Sequence, residues 1–230
     1  MLISSSNRYA RENIETNRVY DSIKTLIIEH ALPVGKRILV EPLADELNVS
    51  NTPVREALIQ LASEWLIKDE PNAGFFTKEI SELEVRNLYI LNQNLLELSL
   101  SLVRNDGQVP GMLKPPNFFD ESQQGVTNSP ESKVQILNAL FVHIARQSGN
   151  SDVLKGIMNI NDRTYFIRLH ECEMLQGWQE DLLRLCQIYY QKNIEELRHA
   201  LKVYHDKVIA FLPDLLLLLR RAQTEIRQSS

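Results

Sequence analysis

The chain has 230 residues, 43% hydrophobic and 24% charged, with 8 Gly and 9 Pro. That is the composition of a globular protein of one large or two modest domains, and it excludes wholesale disorder and collagen-like repetition. Lys and Arg number 25 against 30 Asp and Glu, a net charge of −5, which excludes a non-specific polyanion binder because no strongly attractive field for phosphates exists. Cys172 and Cys186 make no disulfide framework, and no secretory signal is read, so a reducing cytoplasmic location is expected. The apolar run 211–219 contains Pro213 and Asp214 and falls well short of the ~20 residues a spanning helix needs. No membrane partner is expected.

Residues 1–16 are polar and aperiodic and read as an N-terminal arm. Val19, Ile23, Leu26 and Ile27 fall at i, i+4, i+7 and i+8 and predict a helix that stops before Pro33-Val34-Gly35. A second helix is expected from near Pro42, burying Leu43, Ala44 and Leu47 and ended by a left-handed Asn48. Ser50 is the expected N-cap of a third helix over 51–64. Its inward stripe is Val54, Ala57, Leu58 and Leu61, with Asn51, Thr52, Arg55 and Ile59 outside. Residues 66–68 and 75–77 predict two short strands around the turn Pro71-Asn72-Ala73-Gly74.

Ser81 is placed to cap a helix over 82–104. The stretch 105–130, with three Gly and four Pro, reads as an irregular connection. Helices are then expected over 132–147, 151–174, 178–190 and 194–221. The fold class is mainly α: a winged helix-turn-helix over 17–80, then an all-α bundle over 81–230. Leu83, Leu88, Leu91, Leu95 and Leu98, together with the leucine run 215–219, supply apolar surface beyond one bundle's need and point to a homodimer.

Two short helices at a sharp angle followed by a hairpin suit DNA. The start of the second helix presents backbone N–H groups and short hydroxyls to phosphates, and a long side chain reaches base edges. Val19-Tyr20-Asp21-Ser22-Ile23, Leu32-Pro33-Val34-Gly35, Leu43-Ala44-Asp45-Glu46-Leu47-Asn48-Val49-Ser50 and Thr52-Pro53-Val54-Arg55-Glu56-Ala57-Leu58, in that order and spacing and continuing to Asn72-Ala73-Gly74-Phe75, resemble the GntR family of bacterial transcription regulators. The remainder is similar to the FCD ligand-sensing domain of the FadR subfamily, through Ser148-Gly149-Asn150 and the closing helix pair.

The resemblance implies operator DNA as partner and Ser50, Thr52, Arg55 and Gly74 as contacts, to which Arg37, Asn51 and Asn72 are added here. Asn51 stands where the family usually has Arg, and Glu41 replaces a common Arg. Losing one bidentate Arg–guanine contact costs ~1–3 kcal/mol of discrimination, and Asn51 is suited to adenine instead. Residues 1–80 hold 9 Lys and Arg against 12 Asp and Glu. The reading therefore requires Arg8, Arg11, Arg18, Lys36, Arg37, Arg55, Lys68 and Lys78 to cluster on the DNA face.

In the helical domain the resemblance also implies a divalent metal held by one Asp and three His. Those positions fall here on Leu137, Phe141, Leu182 and Tyr204, so no metal or other cofactor is expected. A more apolar cavity, partly filled by Phe141 and Tyr204, remains for a small-molecule effector, an organic acid or an apolar metabolite. Its expected lining adds Asn92 (where the family has Arg), His143 as the best-placed histidine, and the middle-helix cations Arg163 and Arg168.

Nothing supports catalysis. There is no glycine-rich phosphate loop, nucleophile elbow or supported Cys–His pair. The expected function is a ligand-responsive, DNA-binding transcription regulator, of the repressing kind toward which the resemblance leans. The alternative is a non-catalytic small-molecule-binding or scaffold protein with a degenerate DNA reader.

Overall fold

The computed structural model describes residues 3–103 and 129–228, with side chains over 16–103 and 129–221. The chain divides into two compact units, Met1–Glu79 and Ile80–Ser230.

The first unit comprises α1 (Ile3–Ile28), α2 (Val40–Leu47), α3 (Asn51–Ser63), β1 (Ile67–Glu70) and β2 (Gly74–Thr77). Its core joins Val19, Ile23 and Ile27 of α1 to Leu43 and Ala44 of α2, to Val54, Ala57, Leu58 and Leu61 of α3, and to Leu66 and Ile67. Residues 3–16 are helical, not an irregular arm. Apolar periodicity signals burial, whereas a helix nucleated further along extends through any stretch free of Gly and Pro. Tyr20 Oη donates to Glu64 Oε2 at 2.5 Å, tying α1 to the end of α3.

Asn48 ends α2 at φ 54°, ψ 49° as expected, and Pro42 lies in the first turn. Leu47 is only half-buried. The strands pair antiparallel from Ile67 opposite Thr77 to Glu70 opposite Gly74. A further segment joins them: Arg37 pairs with Phe76, and Ile38 N–H donates to the Phe75 carbonyl at 2.8 Å. Thr77 fastens this segment, its hydroxyl donating to the Pro33 carbonyl and accepting from Lys36 N–H.

The described residues of the second unit form five helices and no strand: α4 (Glu82–Leu102), α5 (Pro130–Gln147), α6 (Ser151–Met174), α7 (Trp178–Tyr190) and α8 (Ile194–Gln228). Side-chain caps open three of them, Ser81 on α4, Ser129 on α5 and Asn150 on α6. The expected connection 105–130 lies outside the described residues, except that Ser129 and Pro130 already begin α5. No helix among the described residues is long and apolar enough to cross a membrane. The leucine stripe on α4 is mostly outward: Leu88 is buried, but Leu83, Leu91 and Leu98 are exposed. The inward face is Val85, Leu88, Tyr89, Asn92, Leu96, Ser99 and Leu100.

Trp65 follows α3 at φ 63° and is 67% exposed. Its N–H and that of Leu66 close the helix onto the Ala62 and Leu61 carbonyls, a left-handed terminus that favours glycine. Placing a bulky side chain there costs about 1–2 kcal/mol. Trp65→Gly is therefore expected to stabilise the first unit by about 1 kcal/mol, measured by chemical denaturation of the full chain.

Candidate nucleic-acid interface and helical-domain interior

Helix α3 is two-faced. Val54, Ala57, Leu58 and Leu61 are buried, while Asn51, Thr52, Arg55 and Ile59 are exposed, the division its sequence predicts. Ser50 occupies the N-cap with extended backbone, but its side chain makes no capping hydrogen bond. Its hydroxyl is thus not spent on the helix, unlike those of Ser81 and Ser129. The first turn of α3 therefore offers open backbone N–H groups, two short hydroxyls and, one turn on, a guanidinium. That is the donor set for a phosphate and an adjacent base edge.

Asn72 and Gly74 form the hairpin turn at φ 62° and 97°. A Cβ on Gly74 would lie 3.4 Å from Arg37 Nε, so the glycine both makes the turn and lets the Arg37 side chain lie across the strand tip. Of the cations expected to cluster, Arg18, Lys36, Arg37, Arg55 and Lys68 are exposed, whereas Lys78 Nζ donates to the Trp65 carbonyl just past the end of α3. The side chains of Arg8 and Arg11 lie outside the described residues.

The interior of the helical unit holds a buried polar cluster. Arg168 is fully buried on α6. Its Nη1 donates to Asn161 Oδ1 at 2.7 Å and to Asn138 Oδ1. Asn161 is held in that orientation because its Nδ2 donates to the Asn138 backbone carbonyl. The guanidinium carbon lies 5.1 Å from the centre of the Phe141 ring and 5.8 Å from that of Tyr89, within cation–π range. Tyr89 Oη donates to Glu171 Oε1 at 2.6 Å. Phe141 stacks on His205 at 5.7 Å and meets Tyr204 edge-on at 6.1 Å.

His205 Nδ1–H donates to the Leu201 carbonyl at 2.7 Å, and Nε2 lies 2.8 Å from the Asn92 side-chain amide. Burial lowers the His205 pKa to about 4. The atom facing Nε2 is Asn92 Oδ1, with Nδ2 unpartnered; a neutral ring that donates from Nδ1 accepts at Nε2, which the amide satisfies with its oxygen and nitrogen exchanged. Burial raises Glu171 to about 7 against the pull of Tyr89, Arg168 and Trp178. Tyr204 is pushed far above its ordinary value by burial.

Of the residues expected to line a pocket, Asn92, Phe141, Arg168 and Tyr204 belong to this cluster. His143 is half-buried, and burial followed by the nearby Arg146 lowers its pKa. Two residues beyond Phe141, it points about 200° round the helix. Arg163 is also elsewhere, bonded to Glu84 Oε1 at 2.6 Å in a shallow groove with Leu83 and Leu91. The histidine of the cluster is His205, and Tyr89, Asn138, Asn161, Glu171 and Trp178 join it without having been singled out in sequence. One signal was available: Asn161 and Arg168, seven residues apart, share a face of α6 otherwise lined by Ile157, Ile160 and Thr164.

The metal positions implied by the resemblance, Leu137, Phe141, Leu182 and Tyr204, are all buried. They offer three hydrocarbon side chains and a protonated phenol beside a fixed guanidinium. This donor set does not fit a divalent cation.

Against known proteins, residues 15–77 match the family described as bacterial regulatory proteins, gntR family. The Nta operon transcriptional regulator of Aminobacter aminovorans is 25% identical over 84% of this chain and 90% of its own. The transcriptional regulator McbR of Escherichia coli is 24% identical over 83% of this chain and 79% of its own. Residues 15–77 thus form a GntR-type helix-turn-helix domain, in a chain similar over most of its length to transcriptional regulators. Solved GntR regulators share its fold. A Rhodococcus sp. RHA1 protein superposes with a TM-score of 0.65 at 17% identity, covering 86% of this chain and 97% of its own. Escherichia coli McbR/YncC superposes at 0.59 with 20% identity, covering 87% and 97%. Members of this family are regulators and not enzymes.

The buried cluster sets a pH dependence whose sign follows from the two shifts. Glu171 is raised from 4.5 to about 7, so its contribution to stability is complete below pH 4.5 and is lost as pH rises through 7. His205 is lowered from 6.5 to about 4, so its contribution is complete above pH 6.5 and is lost as pH falls toward 4. Between 4.5 and 6.5 the two slopes oppose. Glu171→Gln is expected to abolish the decline that approaches pH 7 and leave the His205 loss between pH 6.5 and 4 unopposed, read from thermal unfolding between pH 4 and 8.

Proposed function

We propose that this regulator is a cytoplasmic, homodimeric repressor that reads operator DNA with Ser50, Asn51, Thr52 and Arg55, steadied by Arg37, Asn72 and Gly74. A small-molecule effector in the helical domain adjusts its operator affinity, without a metal cofactor. The observation that carries the reading is the two-faced α3, with its uncapped Ser50 hydroxyl and exposed Arg55 beside a fully buried apolar stripe.

Dimerisation follows from operator geometry, since two recognition helices must meet half-sites about one DNA turn apart. The exposed Leu83, Leu91, Leu98 and Leu102 of α4 supply apolar surface for it. Effector control is supported by the buried polar cluster, an arrangement that packing alone does not require. Binding to one inter-domain arrangement better than another would shift the dimer's equilibrium and so its hold on DNA. Repression is favoured by a relative matched over a third of this chain, the Escherichia coli transcriptional repressor RspR, 32% identical over 76 residues.

Gel-shift titration against the protein's own promoter region tests the proposal. Specific retardation at moderate salt is expected. Arg55→Ala should weaken it roughly 5- to 150-fold, the loss of one base-reading contact, with unchanged thermal stability because Arg55 is exposed. Equal binding by the variant, or none by the wild type, contradicts the proposal.

A further inference from the structure

Of the outer residues Asn51, Thr52, Arg55 and Ile59 of α3, the operator reading gives a role to all but the last. Ile59 is 58% exposed, the only large apolar side chain exposed on that helix among the described residues. At about 100° per residue, with Asn51 as the origin, Arg55 lies at about 40°, Ile59 at about 80° and Thr52 at about 100°. Ile59 thus falls inside the sector bounded by two side chains assigned to DNA, opposite the buried stripe of Val54, Ala57, Leu58 and Leu61. Side chains on a helix lean toward its N-terminus, so Ile59 covers the turn that carries Arg55 rather than the far end of α3.

The surroundings of Ile59 restrict what it can meet. One turn to either side, Arg55, Glu56, Ala62 and Ser63 supply no second large apolar side chain. Gln60 Nε2 donates to Glu64 Oε1 and the Ser63 hydroxyl to the Gln60 carbonyl, so both are engaged along the helix. A lone apolar side chain in a polar surround is too little for a protein interface, whose centre is a contiguous apolar patch. It does match one methyl group set among donors and acceptors. In the major groove that feature belongs to thymine, whose C5-methyl stands beside the O4 acceptor. A β-branched side chain on a helix already holds one χ1 rotamer, so making the contact sacrifices little side-chain freedom.

We propose that Ile59 reads the C5-methyl of a thymine in the operator, beside the base edge that Arg55 contacts, and adds an apolar element to the specificity of α3. This rests on the operator reading above and names one further base that the helix selects.

The test uses a fragment of the protein's own promoter region, prepared once with thymine and once with uracil in its place, which removes the methyl and keeps the pairing. The full-length wild type should bind the uracil fragment about 4-fold more weakly, the effect of one buried carbon. Ile59→Ala should lose at least that much on the thymine fragment and bind the two fragments to within about 2-fold of each other. Ile59→Val, which keeps a branched apolar group, should retain the preference for thymine. Because the contact is apolar, the wild-type ratio should hold as salt rises, while overall affinity falls. Ile59 is exposed, so Ile59→Ala should leave thermal unfolding unchanged or slightly raised, which separates a lost contact from a lost fold.

Equal binding of both fragments by the wild type overturns the proposal. So does a thymine preference that persists undiminished in Ile59→Ala, which assigns the methyl effect to another residue or to DNA shape. Specific retardation with either of those results leaves the operator reading standing. No specific retardation of the thymine fragment removes both.

Discussion

The first unit depends on α3 having to satisfy two environments at once. Val54, Ala57, Leu58 and Leu61 lie on one face and are buried against α1, α2 and the start of β1. Burying four such side chains contributes several kcal/mol, more than any single polar contact on the other face. That packing fixes the helix's rotation about its own axis. Asn51, Thr52, Arg55 and Ile59 are exposed because the stripe is inside. The hairpin and the segment at Arg37 and Ile38 are in turn held by Thr77, which joins the strand end to the loop before α2.

The helical unit obeys a different constraint. Among its described residues the interior is apolar apart from Ser99 and Thr164 and the cluster of Arg168, Glu171, Asn92, Asn161 and His205. A low-dielectric interior makes each satisfied hydrogen bond stronger and each unsatisfied one more costly. The neutral imidazole of His205 and the raised carboxyl of Glu171 are consequences of that environment.

Much of the fold was legible in the sequence because helix burial has a period that the chain spells out. The stripes of α1 and α3, the left-handed Asn48, the Gly74 turn and the caps at Ser81 and Asn150 each follow from local chemistry. Residues 3–16 did not, because helicity there carries no apolar repeat. The α4 leucines were visible, but not that most of them face outward, since Tyr89, Asn92 and Ser99 mark the inward side with polar atoms.

By itself the sequence determined the order of the two units and the inner and outer faces of α3. Those are properties of spacing within one helix or of residue identity. Only the tertiary structure decided that Arg168, and not Arg163, is the interior cation, and that His205, and not His143, is the interior histidine. Partners such as Tyr89 and Glu171, 82 positions apart, meet only when helices pack, and no local pattern records which side chains then share a buried space.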